Sequence, residues 1–228
     1  MVFRRPFQDR AAAGRALAQE LGKRAFADPI VLALPRGGVP VGAELARVLK
    51  CPLDLIFVRK IGVPGFQELA AAAVVDGSAP EVVINEEVVG YADVPQSYID
   101  EQVKVELQEI ERRRREYLGA RPAPKLEDRT VIVVDDGIAT GTSMKAALKA
   151  VRRKNPKSLV LAVPVAPRES IEELRALVDE AICLEMPDPF YAVGAHYREF
   201  HQLADDEVVR LLGDIEKEQK SGSTTVAT

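Results

Sequence analysis

Apolar residues fall into short continuous runs separated by stretches with helical spacing. Ile30 to Leu34, Leu53 to Val58, Thr130 to Val134, Leu159 to Val165 and Ala181 to Glu185 each read as a strand, and the most apolar of them as buried. Between them lie helix candidates. Residues 9 to 26 place Leu17, Leu21 and Ala25 on one face. Val39 to Leu49 carries Pro40 in its first turn, where proline is tolerated. Ser143 to Lys154 and Glu169 to Val178 complete this set. Ala70 to Asp76 and Glu81 to Ile84 predict two more strands joined by a turn at residues 77–80. Arg59 to Leu69 holds two glycines and a proline and predicts a loop. Gln96 to Leu118 is the longest helical stretch, with Asp100/Lys104, Glu109/Arg113 and Glu111/Arg115 at i,i+4 spacing. Asp205 to Gln219 predicts a final helix, and the small polar tail at 221–228 predicts disorder.

Apolar strands alternating with amphipathic helices imply an α/β fold, a parallel sheet covered by helices on both faces. Ligands on such sheets sit at the carboxyl ends of the strands. The unusual residues collect there: Pro35-Arg36-Gly37-Gly38 after one strand, Arg59-Lys60 after a second, Asp135-Asp136 after a third.

Composition narrows the picture. With 228 residues, 47% of them hydrophobic, the chain can fill a sizeable core, and the absence of Trp makes that core aliphatic. A formal charge of −4 argues against a general nucleic-acid binder. Cys51 and Cys183 stand far apart in apolar surroundings and read as free thiols. The first ten residues lack the apolar core of a signal peptide, and no apolar run reaches the ~18 residues of a membrane span. A soluble cytoplasmic protein with no membrane partner is expected.

The densest chemistry is in VIVVDDGIATGTS, residues 131–143. After the strand, the loop offers backbone N–H groups, the hydroxyls of Thr140, Thr142 and Ser143, and a helix N-terminus, which together suit a phosphate monoester. Gly137 and Gly141 permit a tight backbone path. The loop has no lysine and is not GxGxxG, which disfavours a triphosphate or dinucleotide site. Asp135 and Asp136 repel phosphate. They suit sugar hydroxyls, or Mg²⁺ held through water. A ligand carrying a phosphate beside a ribose diol meets both demands. The plain alternative is a helix cap and an ordinary turn; two acids before a small loop, behind a buried strand, speak against it.

This stretch resembles the phosphoribosyl-pyrophosphate (PRPP) signature of type I phosphoribosyltransferases. The resemblance implies that Asp135 and Asp136 bond the ribose hydroxyls and that Ile138, Ala139, Thr140, Gly141 and Thr142 wrap the 5′-phosphate. LPRGG, residues 34–38, resembles the family's pyrophosphate loop, with Arg36 supplying charge and Gly37-Gly38 letting the backbone approach. FVRKIGVPGFQEL, residues 57–69, resembles the mobile loop of adenine phosphoribosyltransferases, making Arg59 and Lys60 candidate pyrophosphate contacts. The match covers roughly residues 30 to 190 and points to bacterial phosphoribosyltransferases with PRGGVPVG and FYAVG segments. It implies one type I phosphoribosyltransferase-like domain over 1–220, with a core at about 28–186, a helical insertion at about 86–126 and a C-terminal hood at about 187–204.

The activity implied is Mg²⁺-dependent transfer of phosphoribose from PRPP to a small nitrogenous acceptor, a nucleobase in the first instance, by a dimer if the common family pattern holds. Arg36, the glycines, Arg59, Lys60 and Mg²⁺ would answer the negative leaving group, and the aspartates the positive ribose. Phe190 or Tyr191 in PDPFYAVGAHYREF either stacks the acceptor or closes the end of the core; both readings stand. The acid that hypoxanthine-guanine enzymes carry after VG is replaced by Ala195-His196, and their purine-reading lysine has no clear counterpart, so purine specificity is unsupported. A PRPP- or nucleotide-sensing regulator of the same fold is the rival, and the direction of reaction stays open. His196 and His201 lack metal-site spacing and read as packing or surface residues. Arg112 to Arg115 are offset by neighbouring acids, suggesting a solvated or subunit-facing helix, and Glu68 reads as an exposed loop carboxylate.

Overall fold

The computed structural model of the protein describes residues 6–77 and 80–223. Five strands form a parallel sheet in the order β2-β1-β6-β7-β8: β1 Pro29–Ala33, β2 Leu53–Leu55, β6 Thr130–Val134, β7 Ser158–Val165 and β8 Glu180–Glu185. Neighbours on each strand go to opposite faces, and both faces are apolar, so the sheet is buried twice over. Val31, Ala33, Ile132 and Val134 pack with Leu17 and Leu21 of α1 (Arg10–Leu21), with α2 (Gly38–Leu49), and with Val208 and Leu212 of α7 (Asp205–Ser223). Ile30, Leu32, Val131 and Val133 pack with Met144 and Leu148 of α5 (Thr142–Arg152) and with Ile171 and Leu174 of α6 (Arg168–Arg175).

A second sheet, antiparallel and three-stranded, holds β3 (Val58–Val63), β4 (Phe66–Val75) and β5 (Glu81–Ile84). It corrects two expectations. The strand read as Leu53 to Val58 ends at Leu55, where the chain crosses to the second sheet; Phe57 N–H is caught there by Asp76 Oδ1 at 2.7 Å. The segment read as a loop, Arg59 to Leu69, is most of a hairpin. Its glycines mark a turn at Gly65 (φ +81°) and a bulge at Gly62, where a Cβ would lie 2.5 Å from the Gln67 backbone. Glycine in a strand pattern signals a bulge as readily as a loop.

A short helix, α3 (Glu86–Tyr91), leads into α4 (Gln96–Leu118), which packs on β3, β4 and α7. The arginines of α4 are not all solvated. Arg114 turns inward to Asp76 Oδ2 at 2.9 Å and Asp54 Oδ1 at 3.3 Å, while Arg112, Arg113 and Arg115 pair with acids of their own helix. Residues 221–223, expected to be disordered, continue α7, and 224–228 lie outside the described residues. Among the described residues no helix is long and apolar enough to cross a membrane.

Candidate functional site

β1 and β6 are neighbours, so the segments leaving their carboxyl ends meet. Leu34 N–H donates to Val134 O at 2.9 Å and holds them together. The Pro35–Arg36 peptide is cis. A methyl group on Gly37 would lie 2.6 Å from Asp136 Cγ, and one on Gly38 2.9 Å from Val134 O. The glycine pair therefore makes room for the aspartates, a job the sequence does not announce.

Asp136 is buried and held at three points. Its Oδ2 accepts from Arg10 Nε at 2.7 Å, its carbonyl accepts from the Tyr197 hydroxyl, and its N–H donates to Asp135 Oδ1 at 2.8 Å. Asp135 is half-buried and has no ion pair among the described residues. Burial and then the Asp136 charge push the Asp135 carboxyl well up. Burial also raises Asp136, against the opposing pull of Arg10. A cation or a ring of hydroxyl donors in front of this pair would relieve both.

The loop beyond is divided in use. Ile138 is buried, and its N–H donates to Val165 O at 2.9 Å, so that amide belongs to the core. Ala139 and Thr140 are exposed, Gly141 takes φ +74°, and Thr142 and Ser143 open α5. Thr140 and Thr142 hydroxyls lie 3.3 Å apart. Early amides of α5 lack helical partners and face outward with the positive end of the helix. Its N-cap, Gly141, makes no side-chain capping hydrogen bond.

An open cleft of about 530 Å³ borders this loop, lined by Ala139, Thr140, Arg168, Glu169, Asp188, Phe190 and Tyr191. Phe190 and Tyr191, which follow β8, thus share one space with Ala139 and Thr140, although some 50 residues separate them. Their two fates differ. Tyr191 is 82% exposed, whereas Phe190 stacks on His196 at 5.4 Å and packs with Val165 and Tyr197. His201 is a surface residue beside Glu207, at 3.0 Å.

The expected cations are not gathered at one point. Arg36 turns to Asp205 Oδ1 at 3.5 Å, an oxygen that also accepts the Tyr117 hydroxyl. Arg59 bonds Glu106 of α4 at 2.6 Å. Lys60, next along β3, leaves the opposite face and is exposed without an ion pair among the described residues. Among the described residues no group of three or more His, Cys, Asp and Glu is placed to hold a metal ion. Asp135 and Asp136 alone fit a Mg²⁺ that brings most of its oxygens from its ligand and water.

Sequence reasoning missed Arg10 and Tyr197. Arg10 carries a faint signal: it is seven residues before Leu17, a charge in line with the buried stripe of α1. Tyr197 carries none, because its partner is a backbone carbonyl 61 residues away.

Paired carboxylates, a hydroxyl-bearing loop and an aromatic-edged cleft at the carboxyl end of a parallel sheet define an α/β site suited to a phosphorylated sugar. The sequence matches the phosphoribosyl transferase domain family over residues 7–199, and the chain belongs to that family. A Mycobacterium tuberculosis protein named "Putative phosphoribosyl transferase", recorded in two strains, is 42% identical over 206 residues, covering 90% of this chain. Those residues are 46% of the relative, so the chain spans about half the length of the curated relatives it matches. The crystal structure of TT1426 from Thermus thermophilus superposes with a TM-score of 0.80 at 41% identity, covering 92% of this chain and 98% of that one.

Proposed function

We propose that the chain is a phosphoribosyltransferase that uses Mg-PRPP to transfer phosphoribose to a small nitrogenous acceptor, a nucleobase, with release of pyrophosphate. The observation that carries this reading is the shared cleft: the loop suited to a phosphate and the exposed Tyr191 border one space at the sheet's carboxyl edge.

The loop from Gly137 to Ser143 holds the 5′-phosphate through the N-terminus of α5 and the Thr140, Thr142 and Ser143 hydroxyls. Asp135 and Asp136 accept the ribose hydroxyls and place negative charge beside a sugar that becomes cationic as the pyrophosphate leaves. Tyr191, with Phe190 behind it, offers an aromatic face to the acceptor, whose nitrogen attacks the anomeric carbon from the side opposite the pyrophosphate. Arg36, Gly37 and Gly38 serve the pyrophosphate, and Arg59 joins them from β3 once it gives up Glu106, whereas Lys60, on the other face of that strand, does not. Asp135 and Asp136 would hold Mg²⁺ through water, and the ion would supply positive charge to the leaving pyrophosphate.

The test is incubation of the protein with Mg²⁺ and PRPP against a panel of purines, pyrimidines and non-base amines, reading pyrophosphate release. Release with one acceptor class supports the reading and names the acceptor. Tight PRPP binding without release for any of them favours a sensing regulator. Absence of PRPP binding refutes both.

A further inference from the structure

We propose that Arg10 is a positioning residue of the site: it commits one oxygen of Asp136 to a guanidinium and ties that carboxylate to the hood, leaving Asp135 as the carboxylate that meets the ribose hydroxyls. The proposal rests on the phosphoribose reading above and goes beyond it by dividing the work of the two acids.

Arg10 is buried at the start of α1, on the same face as Ala13, Gly14, Leu17 and Leu21. A guanidinium is costly to bury unless each donor direction is answered. Two of its three nitrogens find acceptors, and both acceptors belong to the site. Nε is 2.7 Å from Asp136 Oδ2, Nη1 is 2.9 Å from the His201 carbonyl, and Cζ sits 3.9 Å from the centre of the Phe200 ring. Phe200 stacks on Tyr197 at 5.0 Å, and the Tyr197 hydroxyl returns to the Asp136 carbonyl. The backbone closes the loop: Arg198 N–H donates to Phe7 O and Glu199 N–H to Gln8 O, each at 2.9 Å.

Asp136 is thus gripped by α1 on one side and the hood on the other, its side chain laid over Gly37. Asp135 differs. It is half-exposed, its Oδ1 accepts the Asp136 N–H, and it has no ion pair among the described residues. A ligand diol arriving at the edge of β6 finds one carboxylate already paired with a guanidinium and a second one with no cation among the described residues. The same contacts put the hood in register with the acids, since Arg10 touches Asp136 and the His201 carbonyl at once.

The experiment compares the full chain with Arg10→Met, Arg10→Lys, Asp135→Asn, Asp136→Asn and Arg10→Met/Asp136→Asn. Mg-PRPP affinity is read by calorimetry, orthophosphate affinity by NMR at the amides of Thr140 to Ser143, and hood seating by hydrogen exchange at Arg198 and Glu199. Arg10→Met is expected to weaken Mg-PRPP binding about 10- to 100-fold, the scale of one charge-assisted hydrogen bond, with orthophosphate affinity unchanged and exchange at Arg198 and Glu199 accelerated. Arg10→Lys, which keeps the charge but not the two-point fork, recovers part of the loss. The double variant is no weaker than the weaker single one, because both changes cut the same bond. Asp135→Asn weakens Mg-PRPP binding with hood exchange unchanged, which separates contact from positioning.

Mg-PRPP binding unaltered by Arg10→Met overturns the proposal. So does equal loss of orthophosphate and Mg-PRPP affinity, the mark of a merely structural role, or full additivity of Arg10→Met with Asp136→Asn. If the unaltered protein has no affinity for Mg-PRPP, the phosphoribose reading itself fails and this proposal with it.

Discussion

Gly37→Ala puts a methyl carbon where the Asp136 carboxylate already lies. The added Cβ would sit 2.6 Å from Asp136 Cγ and 3.0 Å from Oδ1. Non-bonded carbons rest about 3.5–4.0 Å apart, so something must yield by roughly 1 Å. Asp136 has little freedom to give way. Its Oδ2 is 2.7 Å from Arg10 Nε, and a retreat of about 1 Å breaks that bond by the usual distance limits. Losing a buried hydrogen bond between charged groups costs about 1.5–3 kcal/mol. If instead the carboxylate stays and the start of α2 shifts, overpacking costs about 1–3 kcal/mol. Either route predicts destabilisation of about 1–3 kcal/mol, read as a lower urea midpoint with the slope unchanged. Because the strain falls on the acid pair, Mg-PRPP affinity should drop about 10-fold or more in the same variant. A Gly37→Ala protein with the urea midpoint and Mg-PRPP affinity of the unaltered chain would refute the reasoning, since no glycine would then be needed under the carboxylate.

Gly213 lies in α7 with nothing within 4 Å of its would-be Cβ, so Gly213→Ala should stabilise by about 0.5–1 kcal/mol in urea denaturation. Arg114 is the cation between Asp54 and Asp76, whose side chains are only 5% and 6% exposed, and Arg114→Met should destabilise by about 3–5 kcal/mol, read as a large fall in the unfolding midpoint. Burial pushes the Asp76 carboxyl up to about 6, so over about pH 4 to 6 the folded chain holds a proton that the unfolded chain has lost. Asp76 should therefore contribute a fall in stability of up to about 3 kcal/mol as pH rises through that window, and Asp76→Asn should flatten the urea-denaturation pH profile by that amount while the other buried carboxyls keep their share.

Much of the architecture was legible because the physics behind it is local. A parallel strand buried on both faces must be apolar throughout, and Ile30 to Leu34, Thr130 to Val134 and Leu159 to Val165 announce themselves that way. Helix spacing marked Gln96 to Leu118 with the observed ends, and the acids of VIVVDD were visible as charges abutting a strand. The hairpin of β3 and β4 was not legible, because glycine and proline punctuate a loop, a turn and a bulge alike. Only the facing strand distinguishes them.

The chain alone determined that Pro35 to Gly38 and Asp135-Asp136 stand at the carboxyl ends of β1 and β6, since strand length and breakers are written there in consecutive positions, but it misplaced Arg59-Lys60, which lie within β3 of the second sheet. Tertiary structure alone decided what each of those residues touches. It set Gly37 under Asp136, turned Arg36 toward Asp205 and Arg59 toward Glu106, brought Tyr191 beside Thr140, and paired Asp136 with Arg10 from 126 residues away. The reason is one of range. Backbone pattern and burial repeat every two or every 3.6 residues and leave a trace in neighbouring letters. A hydrogen bond between distant side chains depends on where packing delivers two atoms to within about 3 Å, and nothing in the intervening sequence records it.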